Sequence, residues 1–358
     1  MKVRLYLLFG LALTLWSCGN KPKPTDNHTA VIEKTDNTPE FEGLLQKAQK
    51  TFGELPAIAN SETNTVTTEK VALGQMLYFD NRLSKDNKQS CNTCHNVATY
   101  GVDNMPTSEG NDGGFGDRNS PTTFNAAFHI AQFWDGREPD VEAQAGGPIL
   151  NPVEMAMHSE ADVVTRLKNI DDYVTLFGSA FPEEKDPITY NNLKKAIGAY
   201  ERKLVSPSRF DDYLAGNENA LSHAEKKGLE TYMNSGCVTC HSGNLLGGNM
   251  YQKFGLMGGN YWELTGSENI DEGRFTITQN EADKYVFKVP SLRNIEKTYP
   301  YFHDGSVSDL KEAVMIMAKL QVPQPISETQ ADEIVTFLKT LTGNIPAELA
   351  QVPNYKES

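Results

Sequence analysis

Two short stretches of this 358-residue chain carry chemistry by their spacing alone: Cys91-Asn92-Thr93-Cys94-His95 and Cys237-Val238-Thr239-Cys240-His241. Each has the form C-x-x-C-H. Two thiols one helical turn apart can form thioethers with the vinyl groups of a haem, and the imidazole that follows directly can reach its iron. A C-x-x-C pair can also hold zinc as thiolates or act as a thioredoxin-like redox pair. Zinc leaves both histidines unused, and the redox pair needs a βαβ setting that the pattern of this chain does not offer. The expected cofactors are therefore two covalent c-type haems, with iron held by His95 and by His241.

The second axial ligand decides what such a haem does. Two strong ligands make an electron carrier, whereas an open or displaceable position binds peroxide. Near the C-terminus, Met315 and Met317 lie two residues apart on a helix expected to start near Ser308, so they point about 200° apart. Leu310, Ala313, Val314, Met317 and Leu320 share one face, which makes Met317 the expected ligand opposite His241; the alternative is ordinary core filler. For His95, spacing selects none of His129, His158 and Met105. The loop after it holds Gly101, Gly110, Gly113, Gly114 and Gly116, which gives its backbone freedom to move.

These residues must be positioned by helices. Apolar residues recur at helical spacing at Phe41, Leu44, Leu45, Ala48 and Phe52, and again at Leu193, Ala196, Ile197, Tyr200 and Leu204. Capping boxes at Ser159-x-x-Asp162, Ser222-x-x-Glu225 and Ser327-x-x-Gln330 announce three more helices, the last closed by Gly343. No series of alternating strands stands out, and residues 99–121 and 243–288 read as long functional loops. The chain is expected to fold as an N-terminal domain, 40–205, and a C-terminal domain, 206–350, with the break near Ser206-Pro207-Ser208. In each, a haem would supply apolar core that a small helical domain lacks.

The fifth cysteine, Cys18, follows Lys2, Arg4 and an apolar run at 5–16 that is the length of a signal-peptide core and too short to span a bilayer as a helix. Leu15-Trp16-Ser17-Cys18-Gly19 resembles a bacterial lipobox. Residues 1–17 are thus expected to be a lipoprotein signal peptide, Cys18 the lipidated residue, and 18–39 a disordered tether too poor in apolar residues to pack. The protein would sit in the cell envelope facing the periplasm, touching the membrane only through its lipid. With 33 Lys+Arg, 47 Asp+Glu and a net charge of -14, it lacks the basic clusters of a nucleic-acid binder. An acidic surface suits a basic protein partner.

From about Glu69 onward the chain resembles the bacterial di-haem cytochrome c peroxidases, a superfamily that includes the methylamine-utilisation di-haem enzymes. Beyond both C-x-x-C-H motifs, the resemblance rests on Leu73-Gly74, Phe79-Asp80-Asn81-Arg82-Leu83-Ser84, Arg118-Asn119-Ser120-Pro121-Thr122, Gln132-Phe133-Trp134-Asp135-Gly136-Arg137, Pro152-Val153-Glu154-Met155 and Thr298-Tyr299-Pro300-Tyr301-Phe302-His303. It implies an all-α fold of two cytochrome c-like domains and the two-electron reduction of hydrogen peroxide to water. The His95 haem would be the low-potential peroxidatic centre, and the His241/Met317 haem the high-potential entry point for electrons from a small cytochrome c or a copper protein. Glu154 matches the distal acid that moves a proton between the peroxide oxygens, and Gln144 matches a second distal polar residue. Trp134 matches an electron relay between the haems. Read alone, Glu154 would be a solvated acid and Trp134 a core residue. Asn119, Thr298 and Pro300 match an interdomain calcium site of oxygen ligands. Relatives are commonly dimers, so a homodimer is expected.

One position departs from the pattern. Where many relatives carry a displaceable distal histidine, this chain has Asn111, a poor haem ligand. The peroxidatic iron is therefore expected to be open or water-ligated even when both haems are oxidised. Two other functions remain in view, a di-haem electron carrier without catalysis and a methylamine-utilisation-type oxidase of a partner protein. The first predicts two six-coordinate haems; the second carries a tyrosine where Met317 stands here.

Overall fold

The computed structural model describes residues 41–355. The expected signal peptide (1–17), the lipidated Cys18 and the tether (18–39) lie outside the described residues. Helices dominate: α1 Leu44–Phe52, α2 Thr68–Phe79, α3 Cys91–Cys94, α4 Val141–Leu150, α5 Glu160–Lys168, α6 Asp171–Ala180, α7 Tyr190–Glu201, α8 Arg209–Leu214, α9 His223–Asn234, α10 Tyr261–Thr265, α11 Phe275–Thr278, α12 Leu310–Gln321, α13 Glu328–Leu338 and α14 Ala347–Ala350.

Local sequence explains where several of these begin. Ser159 accepts from the Asp162 N–H at the start of α5, Ser222 and Glu225 form a reciprocal box at α9, and Ser327 and Gln330 do so at α13. Each satisfies N–H groups that the first helical turn leaves without a partner. Gly343, expected to close the last helix, does something else. After α13 the chain makes a 3-10 turn at Lys339–Leu341, and a Cβ on Gly343 would lie 2.3 Å from the Ser206 carbonyl oxygen. Glycine is needed there for close approach, not as a cap.

Two helix crossings organise the molecule, and they are built alike. At Gly74 on α2, a Cβ would lie 1.9 Å from the Ala196 carbonyl of α7; at Gly228 on α9, it would lie 2.1 Å from the Glu333 carbonyl of α13. Only a residue without a side chain permits that contact. One turn further along, Tyr78 meets the Tyr200 ring at 5.1 Å, and Tyr232 meets Phe337 at 5.1 Å. Around the first crossing, Leu73, Leu77, Tyr78, Leu193 and Ile197 form a buried cluster against which Cys91 packs. Around the second, Phe210, Leu229, Tyr232, Ile334 and Phe337 do the same for Cys237. A third cluster holds Phe254, Tyr261, Phe287, Ile316 and Leu320.

The chain ends cross the expected domain boundaries. Leu44, Ala48 and Phe52 of α1, assigned by sequence to 40–205, are buried in the second cluster, where Phe52 meets Phe210 edge-on at 5.3 Å. Conversely, Leu349 and Tyr355 pack against the first cluster: Tyr200 Oη donates to the Leu349 carbonyl at 2.6 Å, and Tyr355 Oη to that of Met76 at 2.7 Å. An amphipathic face shows that a helix must be covered, not by what. The expected break falls at a tightly packed point of the chain. Ser206 is fully buried, and its hydroxyl accepts from Asn125 at 2.9 Å and from Asn294 at 2.8 Å. Within the expected loop 243–288, β1 (Tyr251–Lys253) pairs antiparallel with β2 (Val286–Lys288).

Candidate functional site

The two C-x-x-C-H turns are made the same way. In α3 the His95 N–H returns to the Cys91 carbonyl at 2.9 Å, and the His241 N–H returns to Cys237 at 2.9 Å. Each histidine carbonyl is held from the preceding helix: Tyr78 Oη donates to His95 at 2.7 Å and Tyr232 Oη to His241 at 2.8 Å. Each ring is oriented by a backbone carbonyl, His95 Nδ1 lying 2.9 Å from Pro121 O and His241 Nδ1 lying 3.1 Å from Leu246 O. A carbonyl only accepts, so the proton resides on Nδ1 and Nε2 keeps its lone pair. Burial lowers the pKa of both rings, which keeps them neutral, as a metal ligand must be.

None of the four described cysteines is in a disulfide, and burial raises the pKa of each thiol. Cys91 and Cys237 belong to different clusters, so the pairs do not converge as a four-cysteine zinc site. Among the described residues, no three His, Cys, Asp or Glu side chains are grouped to hold a metal ion. A covalent haem at each turn fits instead: two thiols on one turn, an oriented neutral imidazole, and beside the first motif a cavity of about 690 Å³ lined by Gln89, Cys94, Met105, Glu109, Gly110 and Phe115. That volume suits a bound cofactor.

Glu154 stands on the turn that follows α4. That helix contains Pro148, which breaks its hydrogen-bond pattern, and ends at Leu150. Asn151 Nδ2 donates to Glu154 Oε1 at 2.7 Å. Burial raises the Glu154 pKa, while Asn151 and the charge of Arg137 oppose the rise. Gln144 lies half-buried on the same helix.

The glycine-rich loop is pinned over this turn. Glu109 and Phe115 form an antiparallel bridge, the Asn111 N–H donates to the Glu154 carbonyl at 2.7 Å, and a Cβ on Gly110 would lie 1.7 Å from the Val153 carbonyl. Asn111 is buried, and its amide is already engaged, donating to Asp86 at 3.1 Å and to Asp112 at 3.0 Å. Of the other candidates for the iron opposite His95, Met105 lines the cavity. His158 instead borders a separate cavity of about 430 Å³ with Lys85 and Arg166. His129 is instead hydrogen-bonded to Lys288, 2.8 Å away and remote in sequence.

Trp134 packs against the third cluster. Its indole N–H donates to the Asn119 carbonyl at 2.9 Å, its own carbonyl accepts from the Lys288 N–H of β2 at 2.8 Å, and its ring meets His303 at 6.4 Å. The neighbours of this pair are locked by charge: Arg118 donates to Asp135 at 2.5 Å and to Asp271 at 2.6 and 3.0 Å. The Asn119 N–H donates to the His303 carbonyl at 2.7 Å. Its side-chain nitrogen donates to the Met105 carbonyl at 2.9 Å, leaving its oxygen available. Asn104 donates to the carbonyls of Lys297 at 2.9 Å and Tyr299 at 2.7 Å, the alternate carbonyls to those of Thr298 and Pro300. Met317 is half-buried on α12 and packs against the third cluster.

Sequence reasoning missed Tyr78, Tyr232 and Asn151. The first two carried a signal, a Gly-x-x-x-Tyr repeat ahead of each C-x-x-C-H motif.

A family model for di-haem cytochrome c peroxidase matches residues 68–219. The chain is 44% identical over 308 residues to cytochrome c551 peroxidase of Pseudomonas aeruginosa, covering 85% of this chain and 88% of that one. It is 34% identical over 320 residues to methylamine utilization protein MauG of Methylorubrum extorquens, covering 84% and 86%. The solved structure of a MauG-like protein associated with microbial copper homeostasis superposes with a TM-score of 0.73 at 29% identity, over 84% of this chain and 97% of that one. Identity this high across nearly the whole length, on top of two equivalent C-x-x-C-H turns, means that the chain belongs to the di-haem cytochrome c peroxidase family.

Proposed function

We propose that this chain reduces hydrogen peroxide to water at the haem carried by Cys91, Cys94 and His95, with electrons entering at the haem of His241 and Met317 and crossing by way of Trp134. The enzyme class itself, an oxidoreductase acting on peroxide, follows from its relatives; the routing is the proposal. One observation carries it: Glu154, a half-buried carboxyl of raised pKa, is anchored by Asn151 on a turn to which the loop after His95 is tied, the Asn111 N–H donating to the Glu154 carbonyl at 2.7 Å.

Bound haem supplies the redox chemistry and the iron at which peroxide is held. Glu154 takes a proton from one peroxide oxygen and returns it to the other, so that the departing oxygen leaves as water. Asn151 occupies one carboxylate oxygen and leaves the second to carry that proton. A raised pKa suits the task, because the same group must accept and release near the working pH. Gln144 adds a polar group on the helix that leads to this turn. Asn111, engaged with Asp86 and Asp112, does not compete for the iron. The Trp134 ring is oriented by its indole hydrogen bond to the Asn119 carbonyl.

The division into two cytochrome c-like domains, each around one haem, is part of the same reading. It is supported by the paired crossings at Gly74 and Gly228. The carbonyls of Thr298 and Pro300, with the side-chain oxygen of Asn119, suit a calcium ion, a hard cation that prefers oxygen. An acidic chain suits a basic donor, a small cytochrome c or a copper protein, and the N-terminal lipid at Cys18 would hold a homodimer at the periplasmic face of the envelope.

The test is Glu154→Gln. The variant is expected to bind both haems and lose donor-dependent peroxide reduction by about 10²- to 10⁴-fold. Normal turnover would overturn the assignment.

A further inference from the structure

Lys288 and His129 meet where β2 approaches the segment before Trp134. Lys288 is 7% exposed, yet among the described residues its ammonium pairs with no carboxylate. Its side chain's hydrogen bond runs to His129 Nδ1 at 2.8 Å. An ammonium only donates, so Nδ1 is the acceptor and the ring proton resides on Nε2. That Nε2 is buried and has no partner. Among the described residues, two ammonium hydrogens and one imidazole N–H are thus left without an acceptor. Buried donors are almost always satisfied, and buried charges are paired. Burial without a counter-charge also pulls the Lys288 pKa down to about 8, and it lowers that of His129, with the charge of Lys288 adding to the effect.

The missing acceptor is an anion, and its position says which. His129 lies against Gly248, where a Cβ would come within 2.5 Å of its Cδ2. The Ile130 N–H donates to the Gly248 carbonyl at 2.9 Å. The preceding residues hold the second motif: Leu246 O orients His241, and a Cβ on Gly247 would lie 3.3 Å from His241 Nδ1. A haem attached at Cys237 and Cys240 carries two propionate carboxylates, the anions intrinsic to this region. We propose that Lys288 and His129, from opposite sides of the connection at Ser206, together bind a propionate of the His241 haem. This rests on the di-haem reading. The clamp ties the segment that leads to Trp134 to the haem from which Trp134 would receive electrons.

The test uses the holoprotein, with haem content measured first by intact mass; a protein lacking two haems would refute the di-haem reading itself, separately from the clamp. In Lys288→Met, the reduction potential of the His241 haem is expected to fall, since a cation beside the porphyrin favours the electron-rich form. Its propionate bending modes should shift in resonance Raman spectra, while the His95 haem is unchanged. Lys288→Arg should restore the potential, and His129→Phe, an independent variant, should reproduce the Raman shift. Unaltered potential and propionate modes in Lys288→Met, or equal shifts in the Met and Arg variants, would overturn the clamp. Titration of the wild-type protein with inorganic phosphate distinguishes a free anion: a phosphate-dependent potential shift that Lys288→Met abolishes would also overturn the propionate assignment, and no shift is expected.

Discussion

Tyr78 and Tyr232 occupy equivalent positions, each four residues after the glycine of a helix crossing and each donating its phenol to the carbonyl of a motif histidine, at 2.7 and 2.8 Å. The glycine lets two helices touch, the tyrosine one turn later reaches past the crossing, and the C-x-x-C-H turn hangs from that phenol. Both rings are buried. Tyr78→Phe or Tyr232→Phe leaves a buried carbonyl without this donor, so each is expected to cost about 1–3 kcal/mol. Denaturant unfolding of the holoprotein measures it; a change near zero in both variants would show that the carbonyls find other partners.

Asn151 lowers the pKa of Glu154 by donating to its carboxylate, against the burial that raises it. Removing the donor in Asn151→Ala therefore raises the Glu154 pKa further. Because proton transfer begins from the ionised carboxylate, the acid limb of the kcat/KM profile is expected to move to higher pH. A limb that stays in place, or moves to lower pH, would contradict this role.

Asn111 is buried with its amide bonded to Asp86 and Asp112, and His129 is engaged with Lys288. With neither offered to the His95 iron, that haem is expected to be high-spin in the fully oxidised protein. Electron paramagnetic resonance decides it: a purely low-spin spectrum from both haems would mean that another ligand is recruited.

Glu201 links burial to pH-dependent stability. Burial, reinforced by the charge of Glu142 and opposed by Arg202, pushes its carboxyl from 4.5 up to about 8. The folded state then holds a proton that the unfolded chain releases at lower pH, so stability is expected to fall as pH rises from about 4.5 to about 8. Glu201→Gln should flatten that decline. Calorimetric scans across this range give the slopes, and an identical slope in the variant would remove Glu201 as its source.

Part of the site is legible without any structure because its chemistry is local. In C-x-x-C-H, five consecutive residues contain both thiols and the ligand, and the turn that presents them closes on itself through the Cys91 carbonyl in one motif and the Cys237 carbonyl in the other. Capping boxes are equally local, which is why Ser222 and Ser327 mark real helix starts. Gly343 misleads for the opposite reason, since its need for a missing side chain arises from Ser206, remote in sequence.

What tertiary structure alone decided is everything that depends on remote partners. Periodicity marked α1 as amphipathic, but only folding buried it beside Phe210. Composition made Lys288 one of 33 basic residues; packing removed it from water and set it against His129. Glu154 looked like a solvated acid until the 109–115 loop was seen to close on its turn. Covalent spacing determines which residues can attach and ligate a haem, whereas burial and long-range hydrogen bonds determine pKa and orientation, because desolvation is a property of the surroundings and not of the sequence neighbours.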